Sequence, residues 1–467
     1  MKKQFTHINT LLFLFAGICL QNTNCFSQTI AAGWFHSYSI CSDGKVMSWG
    51  LNNNGQLGNG STNGSNIPVP VSSLVNVMAI AGGSVHSLAL KNDGTVWAWG
   101  KNTDGQLGNG SKTGSKVPVA VSLLTDIKAI AGGSYHSLAL KNDSTVWAWG
   151  WNLAGELGNG TNIDTSLPVK IPTLTGIIAI AAGENHSLAL KSDGTVWAWG
   201  GNAYGQLGNG STSSSNVPVQ VTGLTEITAI SAGNLHSLAL KNNGTVMAWG
   251  YNNYGELGNG SWTNSKIPVQ ASSLIGIVKI AAGSHHALAI KNDSTVFTWG
   301  SNSYGQLGNG SDSDLNVPVQ LSSLSGIVKI VAGSSHSLAL SIKDSLWAFG
   351  FNSDGELGNG TSVNSNVKVL VTGLCDALYS LNETPEQLNI SVYPNPSNGI
   401  FQLETGNLEV KKGNLEIFNQ LGELIYSSYN INFQTSNFIN LSGKPKGIYF
   451  INVYTDNKIH SGKILIQ

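Results

Sequence analysis

Residues 133–160 read GSYHSLALKNDSTVWAWGWNLAGELGNG, and this pattern organises most of the chain. It recurs every 50 residues between residues 31 and 380, in seven copies without an insertion. Its phrase His-Ser-Leu-Ala-Leu begins at five of the repeated histidines, and close variants begin at His36 and His286. Repeats of this kind are supersecondary units that bury their apolar faces against their neighbours. The period therefore predicts a continuous array of small, similar units.

Each copy contains four strand-like stretches and no sustained helical period. In the copy that contains His236, these stretches are residues 227–231, 236–240, 245–249 and 217–221, and Gly, Asn and Asp turns separate them. Four short strands per repeat are typical of one blade of a β-propeller. Seven blades would close a ring and leave no exposed sheet edge between them. The sequence thus predicts an all-β, seven-bladed propeller of four-stranded blades, with an open β-solenoid as the alternative.

The composition agrees with a folded β protein and excludes several functions. Gly accounts for 57 of 467 residues, as many tight turns require, and 41% of the residues are hydrophobic at a net charge of -1. Such a chain is not disordered. All 24 basic residues are lysine. Without a basic excess we predict no nucleic-acid partner, and without arginine no bidentate guanidinium recognition of phosphate.

The first 27 residues are predicted to be a secretory signal peptide. Lys2 and Lys3 form its positive start, and residues 11–20 form an apolar run too short to span a bilayer. Small residues at the expected positions place cleavage between Ser27 and Gln28. An uncleaved anchor is the alternative. The mature chain is expected to have no transmembrane segment.

The last part of the chain has a different texture, with little Gly and no Trp. Alternating segments separated by turns predict a small antiparallel β-sandwich with strands at residues 400–403, 415–418, 423–426, 448–453 and 463–466.

The repeats resemble the regulator of chromosome condensation repeat. That pattern combines Gly-x-x-His-Ser, a strand ending in Trp-Gly, and Asn-x-x-Gly-Gln-Leu-Gly, and residues 133–140, 146–150 and 202–208 show it well. The resemblance implies a seven-bladed propeller over residues 28–380. Its relatives include a nucleotide exchange factor for a small nuclear GTPase and a secreted bacterial inhibitor of β-lactamases. Both bind proteins through a propeller face.

The C-terminal segment resembles the sorting domain of the type IX secretion system of Bacteroidetes. The resemblance rests on the opening YPNPSNG at residues 393–399 and on the closing segments 447–450 and 463–466. It implies a sorting domain at residues 390–467 after a linker at 381–389. It further implies contact with the type IX machinery, export across the outer membrane, and release or attachment at the cell surface. A generic β-sandwich binding module is the alternative.

The two cysteines that follow the signal peptide predict a disulfide. Cys375 occupies the repeat slot that Thr225 holds, and Cys41 the slot that Lys241 holds. These slots flank one predicted hairpin, and in a closed ring the blade after the seventh is the first. Cys41 and Cys375 should therefore face each other, which an extracellular environment allows to become a bond. Two unpaired buried thiols are the alternative.

The repeated polar and aromatic residues are expected to be structural. Seven aligned histidines around a ring cannot converge on one metal ion, so each should make the same local hydrogen bond. Trp pairs such as Trp97 and Trp99 lie on one strand face and should pack between blades. Glu156, Glu256 and Glu356 recur at one repeat position, which again favours structure. We predict no catalytic residue, no metal site and no cofactor.

The variable positions carry the candidate binding site. Chain reversals alternate between the two faces of a propeller, so the first turn (Gly-x-x-His) and the third (Gly-x-Asn-x-x-Gly) share one face, here called the first face. The second turn lies on the opposite, second face. The variable positions of the first face are rich in aromatic residues, here called the aromatic rim: Trp34, Phe35, Tyr135, Trp151, Tyr204, Tyr251, Tyr254, His285, Tyr304 and Phe351. Charged residues lie among them: Glu184, Lys101, Asp104 and Asp354.

Aromatic side chains bury a large area with few rotatable bonds, which suits binding. We therefore expect a secreted or cell-surface, non-catalytic protein that recognises a protein or glycan ligand through the aromatic rim. Ordinary exposed aromatics are the structural alternative. An extracellular hydrolase with an unrecognised active site, a structural surface-layer component and a nucleotide-exchange-like regulator are the functional alternatives.

Overall fold

The computed structural model describes residues 29–375, 390–405, 412–419, 423–432, 437–455 and 458–467. The chain forms two compact units, Met1–Asp376 and Ala377–Gln467. The predicted signal peptide (1–27) and linker (381–389) lie outside the described residues.

The first unit consists of seven sheets of four antiparallel strands, each sheet taken from one continuous stretch of chain. Blade 1 contains β1 (Thr29–Ala32), β2 (His36–Ile40), β3 (Val46–Gly50) and β4 (Ser65–Pro70). Blade 2 contains β5 (Val77–Gly82), β6 (His86–Lys91), β7 (Val96–Gly100) and β8 (Ser115–Ala120). Blade 3 contains β9 (Ile127–Gly132), β10 (His136–Lys141), β11 (Val146–Gly150) and β12 (Thr165–Lys170). Blade 4 contains β13 (Ile177–Ala182), β14 (His186–Lys191), β15 (Val196–Gly200) and β16 (Ser215–Gln220).

The remaining three blades repeat this order. Blade 5 contains β17 (Ile227–Ala232), β18 (His236–Lys241), β19 (Val246–Gly250) and β20 (Ser265–Gln270). Blade 6 contains β21 (Ile277–Ala282), β22 (His286–Lys291), β23 (Val296–Gly300) and β24 (Leu315–Gln320). Blade 7 contains β25 (Ile327–Ala332), β26 (His336–Ser341), β27 (Leu346–Gly350) and β28 (Ser365–Leu370). The predicted seven-bladed propeller of four-stranded blades is confirmed.

One predicted grouping of strands is wrong. The strand predicted at residues 217–221 was assigned to the same unit as residues 227–231, but β16 pairs with β15 in blade 4. The fourth strand beside residues 227–250 is β20, at the end of the third connection. The chain leaves each outer strand on the second face and starts the next blade at its innermost strand, so the strand before this crossing belongs to the preceding blade.

The apolar core lies between blades. Trp99 of blade 2 is fully buried against Tyr38, Val46 and Val71 of the blade 1 region, and Trp149, Trp199, Trp249 and Trp299 occupy the same position further round the ring. The first Trp of each pair, such as Trp97, is only partly buried. Because every blade offers one such face to each neighbour, closing the ring buries all of them.

The outer strands are protected against pairing with other chains. Among the described residues no further strand pairs with them, although each accepts one backbone hydrogen bond from the third connection of the preceding blade, as Ser166 does from Gly110. Six of the seven carry proline at the same position: Pro68, Pro118, Pro168, Pro218, Pro268 and Pro318. The seventh carries Lys368, whose ammonium lies 4.5 Å from the ring centre of Trp347. Proline removes a hydrogen-bond donor from an edge and lysine adds charge, and both oppose strand addition.

The ring closes between blades 7 and 1. Trp49 and Met47 of blade 1 pack with Leu338 and Leu340 of blade 7 in one core cluster. Cys41 and Cys375 form the predicted disulfide, with their Cα atoms 5.5 Å apart and 334 positions apart in sequence. In the chain-entropy model, a link over so long a loop stabilises the fold by roughly 6 kcal/mol.

The second unit is a small antiparallel β-sandwich built from two sheets. A three-stranded sheet contains β29 (Ile390–Tyr393), β30 (Ile400–Thr405) and β33 (Asn437–Asn440). A four-stranded sheet has the order β32 (Leu424–Asn432), β31 (Lys412–Phe418), β34 (Gly447–Thr455) and β35 (Lys458–Ile466). All five predicted strands are present, whereas β29 and β33 were not predicted.

The two sequence motifs of this unit lie side by side. The side chain of Asn395 accepts a hydrogen bond from the Leu465 amide (3.0 Å) and donates one to the Lys463 carbonyl (3.0 Å). Ser397 forms a bridge with Ile466. The opening motif therefore fixes the last strand of the chain.

Candidate functional site

A repeated hydrogen-bond relay joins neighbouring blades beneath the first face. In blades 4 and 5, for example, His186 Nε2 lies 2.9 Å from the hydroxyl of Ser237, which donates to the carbonyl of Gln206 at 3.0 Å. The Trp249 indole donates to the same carbonyl at 2.8 Å. The expected local bond of each histidine thus goes to the next blade, and the junction of blades 7 and 1 has it too, between His336 and Ser37 at 2.9 Å.

The relay fixes the chemistry of the histidines. Because the serine hydroxyl donates to a carbonyl, the ring must donate from Nε2, so the neutral imidazole carries its proton there. Burial lowers the pKa of His86, His136 and His286 to about 3 and that of His186 to about 4. Neutral, fully buried rings of this kind hold the blades together.

Glycine at the start of each first turn makes room for these rings. A Cβ atom at Gly183 would lie 2.3 Å from Cε1 of His186 and 2.4 Å from the carbonyl oxygen of Gly233. No other residue fits there without moving the ring or the neighbouring blade.

One junction departs from the pattern. Ala287 stands in blade 6 where the other blades have serine. His236 is fully buried, yet its Nε2 has no hydrogen-bond partner among the described residues, and the same holds for Oδ1 of Asn234. Burial is the main reason that the pKa of His236 lies well below its usual value, and electrostatic repulsion by His285 lowers it further. The sevenfold relay is therefore broken between blades 5 and 6.

The first turns surround the mouth of the central channel. Their backbones form a closed ring of hydrogen bonds, in which the Glu184 amide donates to Asn234 at 3.2 Å and the Ser334 amide to Trp34 at 2.9 Å. The channel has a volume of about 370 Å³, and the innermost strands line it mainly with Ala, Gly and Ile. With few polar side chains on its wall, the channel is a poor candidate for a ligand site, so the first face itself is the better one.

The third turns lie directly beside the first turns, as their alternation predicts. The amide of Trp151 donates to the Tyr135 carbonyl at 2.9 Å, and that of Ser301 donates to His285 at 2.7 Å. On the second face, the second turns meet the linkers between blades, where the Val77 amide donates to Gly44 at 3.1 Å.

The structure gathers the aromatic rim into four separate groups. Trp34 lies beside Phe35, with ring centres 6.4 Å apart. Tyr135 lies 6.4 Å from Trp151 and has the Lys101 ammonium 4.8 Å from its ring centre. Tyr304 and Phe351 are 5.0 Å apart. The largest group, here called the tyrosine cluster, consists of Tyr204, Tyr251, Tyr254 and His285.

The tyrosine cluster spans blades 4, 5 and 6. Tyr251 lies at its centre, 4.9 Å from Tyr204, 6.1 Å from Tyr254 and 5.7 Å from His285. Tyr254 is 5.3 Å from His285. Most of these contacts are edge-to-face, the arrangement that aromatic quadrupoles favour. Tyr204 and Tyr254 remain 39% and 40% exposed, so the cluster offers ring surface to a ligand.

Glu256 holds the histidine of the cluster. One carboxylate oxygen accepts a hydrogen bond from the Tyr254 amide at 2.9 Å, and the other lies 3.0 Å from Nδ1 of His285. The equivalent oxygens of Glu156 and Glu356 are buried without a partner, and burial raises the pKa of these two groups to about 7 and about 8. All three cap a turn, but only Glu256 forms a pair with a histidine.

The described residues contain no cluster of three or more His, Cys, Asp or Glu side chains that could hold a metal ion. In the same part of the chain, no helix has the length and hydropathy needed to cross a membrane.

Comparison with protein families identifies both units. Residues 163–384 match the RCC1-like domain, and residues 43–90 and 93–140 match the regulator of chromosome condensation (RCC1) repeat. A second model of the same repeat matches residues 28–56, 78–106 and 127–156. The chain carries a propeller of RCC1 repeats. Residues 391–467 of this RCC1-repeat protein match the secretion system C-terminal sorting domain, which targets it for secretion or to the cell surface.

Solved structures resemble the RCC1 propeller. Prp20p from Saccharomyces cerevisiae, described with its binding properties to Gsp1p and histones, is 23% identical with a TM-score of 0.64. The match covers 73% of this chain and 87% of that protein. Human WBSCR16 is 24% identical with a TM-score of 0.64, over 70% of this chain and 94% of that one. At these identities the likeness concerns the fold.

Sequence reasoning missed the residues that set the tyrosine cluster apart in this RCC1 propeller. Asn234 and Ala287 were not singled out, and Glu256 was grouped with its two counterparts. A signal was present in the phrase at His286, which reads His-Ala-Leu-Ala-Ile instead of His-Ser-Leu-Ala-Leu. The pairing of His285 with Glu256 had no such signal, because it depends on the contact between two blades.

Proposed function

We propose that the protein is a secreted or cell-surface, non-catalytic binding protein whose first face recognises a protein or glycan ligand. The observation that carries this proposal is the placement of the aromatic rim. Its ten residues occupy the variable positions of adjacent first and third turns, above a scaffold that repeats almost unchanged. A rigid disc that gathers its variable aromatic residues on one face can present a specific surface without reorganising on binding, which lowers the entropic cost of association.

The comparison with Prp20p supports this kind of function. Prp20p has a similar propeller fold and is described with binding properties to Gsp1p and histones. A propeller of this architecture thus accommodates protein partners. The sorting domain directs the present chain to the secretion machinery and the cell exterior, so we do not propose an exchange activity on a nuclear GTPase.

The proposal predicts that removing rim aromatics abolishes ligand capture. Replacing Trp151, Tyr251 and Tyr254 together by Ala should weaken binding by about 30-fold or more, as expected for buried aromatic anchors. Capture from culture fluid and binding to a glycan array measure this loss. The matched control replaces Leu123, Ile275 and Ile342 on the second face, which are 71%, 79% and 73% exposed. Equal binding by the triple Ala variant and the wild type would contradict the proposal.

A hydrolase remains the second candidate because of one observation. His285 and Glu256 form a non-repeated acid–base pair on the first face, and His285 is partly accessible. General acid–base catalysis needs such an oriented group. Hydrolysis of an extracellular polymer that is lost in His285→Gln, while ligand capture persists, would favour this candidate over a non-catalytic role.

A further inference from the structure

The two faces of the propeller differ in how their carboxyl groups are neutralised. Among the described residues, every ion pair between a lysine and a carboxylate lies in a second turn: Asp43–Lys45, Asp93–Lys91, Asp193–Lys191 and Asp293–Lys291. The second face therefore balances its own charge.

The first face has no such balance. Its first and third connections contain two lysines, Lys101 and Lys112, both in blade 2. The same connections contain nine carboxyl groups: Asp104, Glu156, Asp164, Glu184, Glu256, Asp312, Asp314, Asp354 and Glu356. Even with Glu156 and Glu356 partly protonated because burial raises their pKa to about 7 and about 8, the face is acidic. Such a surface attracts cationic partners and repels anionic ones.

Glu184 is the carboxylate that connects the acidic first face with the tyrosine cluster. It lies in the first turn of blade 4, half-buried, and its carboxylate pairs with no described lysine. Its amide donates to the Asn234 carbonyl at 3.2 Å, and the side chain of Asn234 lies 3.5 Å from Nε2 of His285, so Glu184 and the cluster share Asn234 as a neighbour. Burial raises the pKa of Glu184. Glu256 is already engaged by Tyr254 and His285, so Glu184 is the carboxylate beside the cluster that is free to bind. Partial burial of a carboxylate without a counter-charge costs free energy, and a bound cation would offset that cost.

The rings of the cluster suit the same ligand. Tyrosine faces carry negative electrostatic potential and attract an ammonium or guanidinium group within about 6 Å. Tyr204 and Tyr254 keep two fifths of their surface exposed. Lys266 of β20 passes beside Gly205, but among the described residues no lysine ammonium lies over the ring of Tyr204 or Tyr254.

The broken relay at the blade 5–6 junction is a second, independent feature that sets the position of the tyrosine cluster apart. Nδ1 of the repeated histidine lacks a partner at every junction, but among the described residues Nε2 of His236 and Oδ1 of Asn234 are additionally unpartnered at the blade 5–6 junction. Asn234 is also within 3.5 Å of His285 Nε2. The one junction whose serine is missing is thus the junction that supports the tyrosine cluster.

We propose that Glu184 and the tyrosine cluster form a receptor for a positively charged side chain, lysine or arginine, of a protein partner. This inference rests on the proposed binding function of the first face and gives its ligand a chemistry. A neutral glycan would use the aromatic rings but would leave the excess of unpaired carboxyl groups without a role, and for that reason the protein partner is favoured.

The experiment uses the full-length protein and three fluorescein-labelled peptides, tetralysine, tetraglutamine and tetraglutamate, in anisotropy titrations at low ionic strength. Tetralysine should bind and the other two should not. Glu184→Gln should weaken tetralysine binding by about fivefold or more, because it removes the charge and keeps the shape. Tyr254→Leu should weaken it by about tenfold, whereas Tyr254→Phe should stay within about twofold of wild type, since phenylalanine keeps the ring.

Tyr304→Leu is the matched control, because Tyr304 holds the same repeat position as Tyr254 and is 45% exposed. An equal loss in Tyr304→Leu, no loss in Glu184→Gln, or full binding by Tyr254→Leu would each overturn the receptor. Near-ultraviolet circular dichroism of every variant verifies the fold.

The outcomes also separate this inference from the proposed function. If tetralysine does not bind while a ligand, such as a glycan, is still captured in a rim-dependent way, the cationic ligand is wrong and the binding function stands. If neither tetralysine nor any other ligand depends on the aromatic rim, both fail.

Discussion

The junction between blades 5 and 6 lacks a serine hydroxyl group that the other six junctions of the propeller contain. In five of the six, a buried histidine lies 2.9 Å from the serine of the next blade, and at His36 the distance is 3.4 Å. Between blades 5 and 6, Ala287 removes the serine and leaves His236 without a partner. The comparison teaches that the relay is used throughout the ring but is not needed at every junction, and that the exception lies under the tyrosine cluster.

The largest expected effect is that of pH on the free energy of unfolding, because pH acts on the histidines of all junctions at once. Burial holds the pKa of six of these histidines at about 3 to about 4 and that of His236 well below its usual value, whereas an unfolded histidine has its ordinary value near ~6.5. Between these values only the unfolded chain binds the protons, so the free energy of unfolding decreases as pH falls below ~6.5. Each histidine contributes a slope of about 1.4 kcal/mol per pH unit. Urea unfolding at about pH 7.5 and about pH 5 should show a strong loss of stability in acid.

Two carboxyl groups act in the opposite direction and provide the control. Burial raises the pKa of Glu156 to about 7 and of Glu356 to about 8 in the folded state, so their stabilising effect is present in acid and is lost as pH rises through these values. The loss therefore extends from the pKa of an unfolded carboxyl, ~4.3, up to these values. Replacing both by Gln, which other copies carry naturally, should remove this loss, so that the variant loses more stability than the wild type between about pH 7.5 and about pH 5. Equal stability of the wild type at both pH values would show that the histidines are not buried as neutral rings.

Histidine substitutions separate a regular junction from the exceptional one. His186→Ala removes a ring and its hydrogen bond to Ser237, whereas His236→Ala removes the same ring without a bond and also deletes an unpaired buried nitrogen. We expect His236→Ala to destabilise the protein by about 1–3 kcal/mol less than His186→Ala. Chemical denaturation of both variants measures the difference. Equal costs would mean that the serine bond contributes nothing to the junction.

The smallest expected effect comes from repairing the exception. Ala287→Ser would give His236 an acceptor and offer a hydroxyl donor to the Glu256 carbonyl, which at present accepts only the Trp299 indole at 2.9 Å. The expected gain in stability is about 1 kcal/mol, seen as a higher melting temperature. The reciprocal control is Ser237→Ala, which removes the hydroxyl from a regular junction and should lower the melting temperature. A loss of stability in Ala287→Ser would show that the junction has no room for the serine.

The fold could be predicted from the sequence because the same pattern of strands and turns occurs in seven copies. The period, the turn residues and the buried Trp positions all indicate the same fold, and the repeat positions of Cys41 and Cys375 correctly predict the disulfide. The grouping of residues 217–221 failed because a repeat defines the order of the strands but not where one blade ends. Chain reversals alternate, so the first and third turns lie side by side as predicted. The division of the aromatic rim into four groups depends on side-chain directions that no spacing encodes. The pair of His285 and Glu256 joins residues 29 positions apart on different blades.

The bond between Cys41 and Cys375 has a topological consequence. The chain runs once around the channel from one cysteine to the other, and the disulfide joins its ends. The propeller is therefore a covalent macrocycle of the 334-residue span, with its tails attached at the seam. A single cut by a protease anywhere in that span opens the macrocycle but releases no fragment, and the halves stay joined until a reductant or a second cut separates them. For a protein directed to the outside of a cell, the integrity of the disc thus depends on two breaks rather than one.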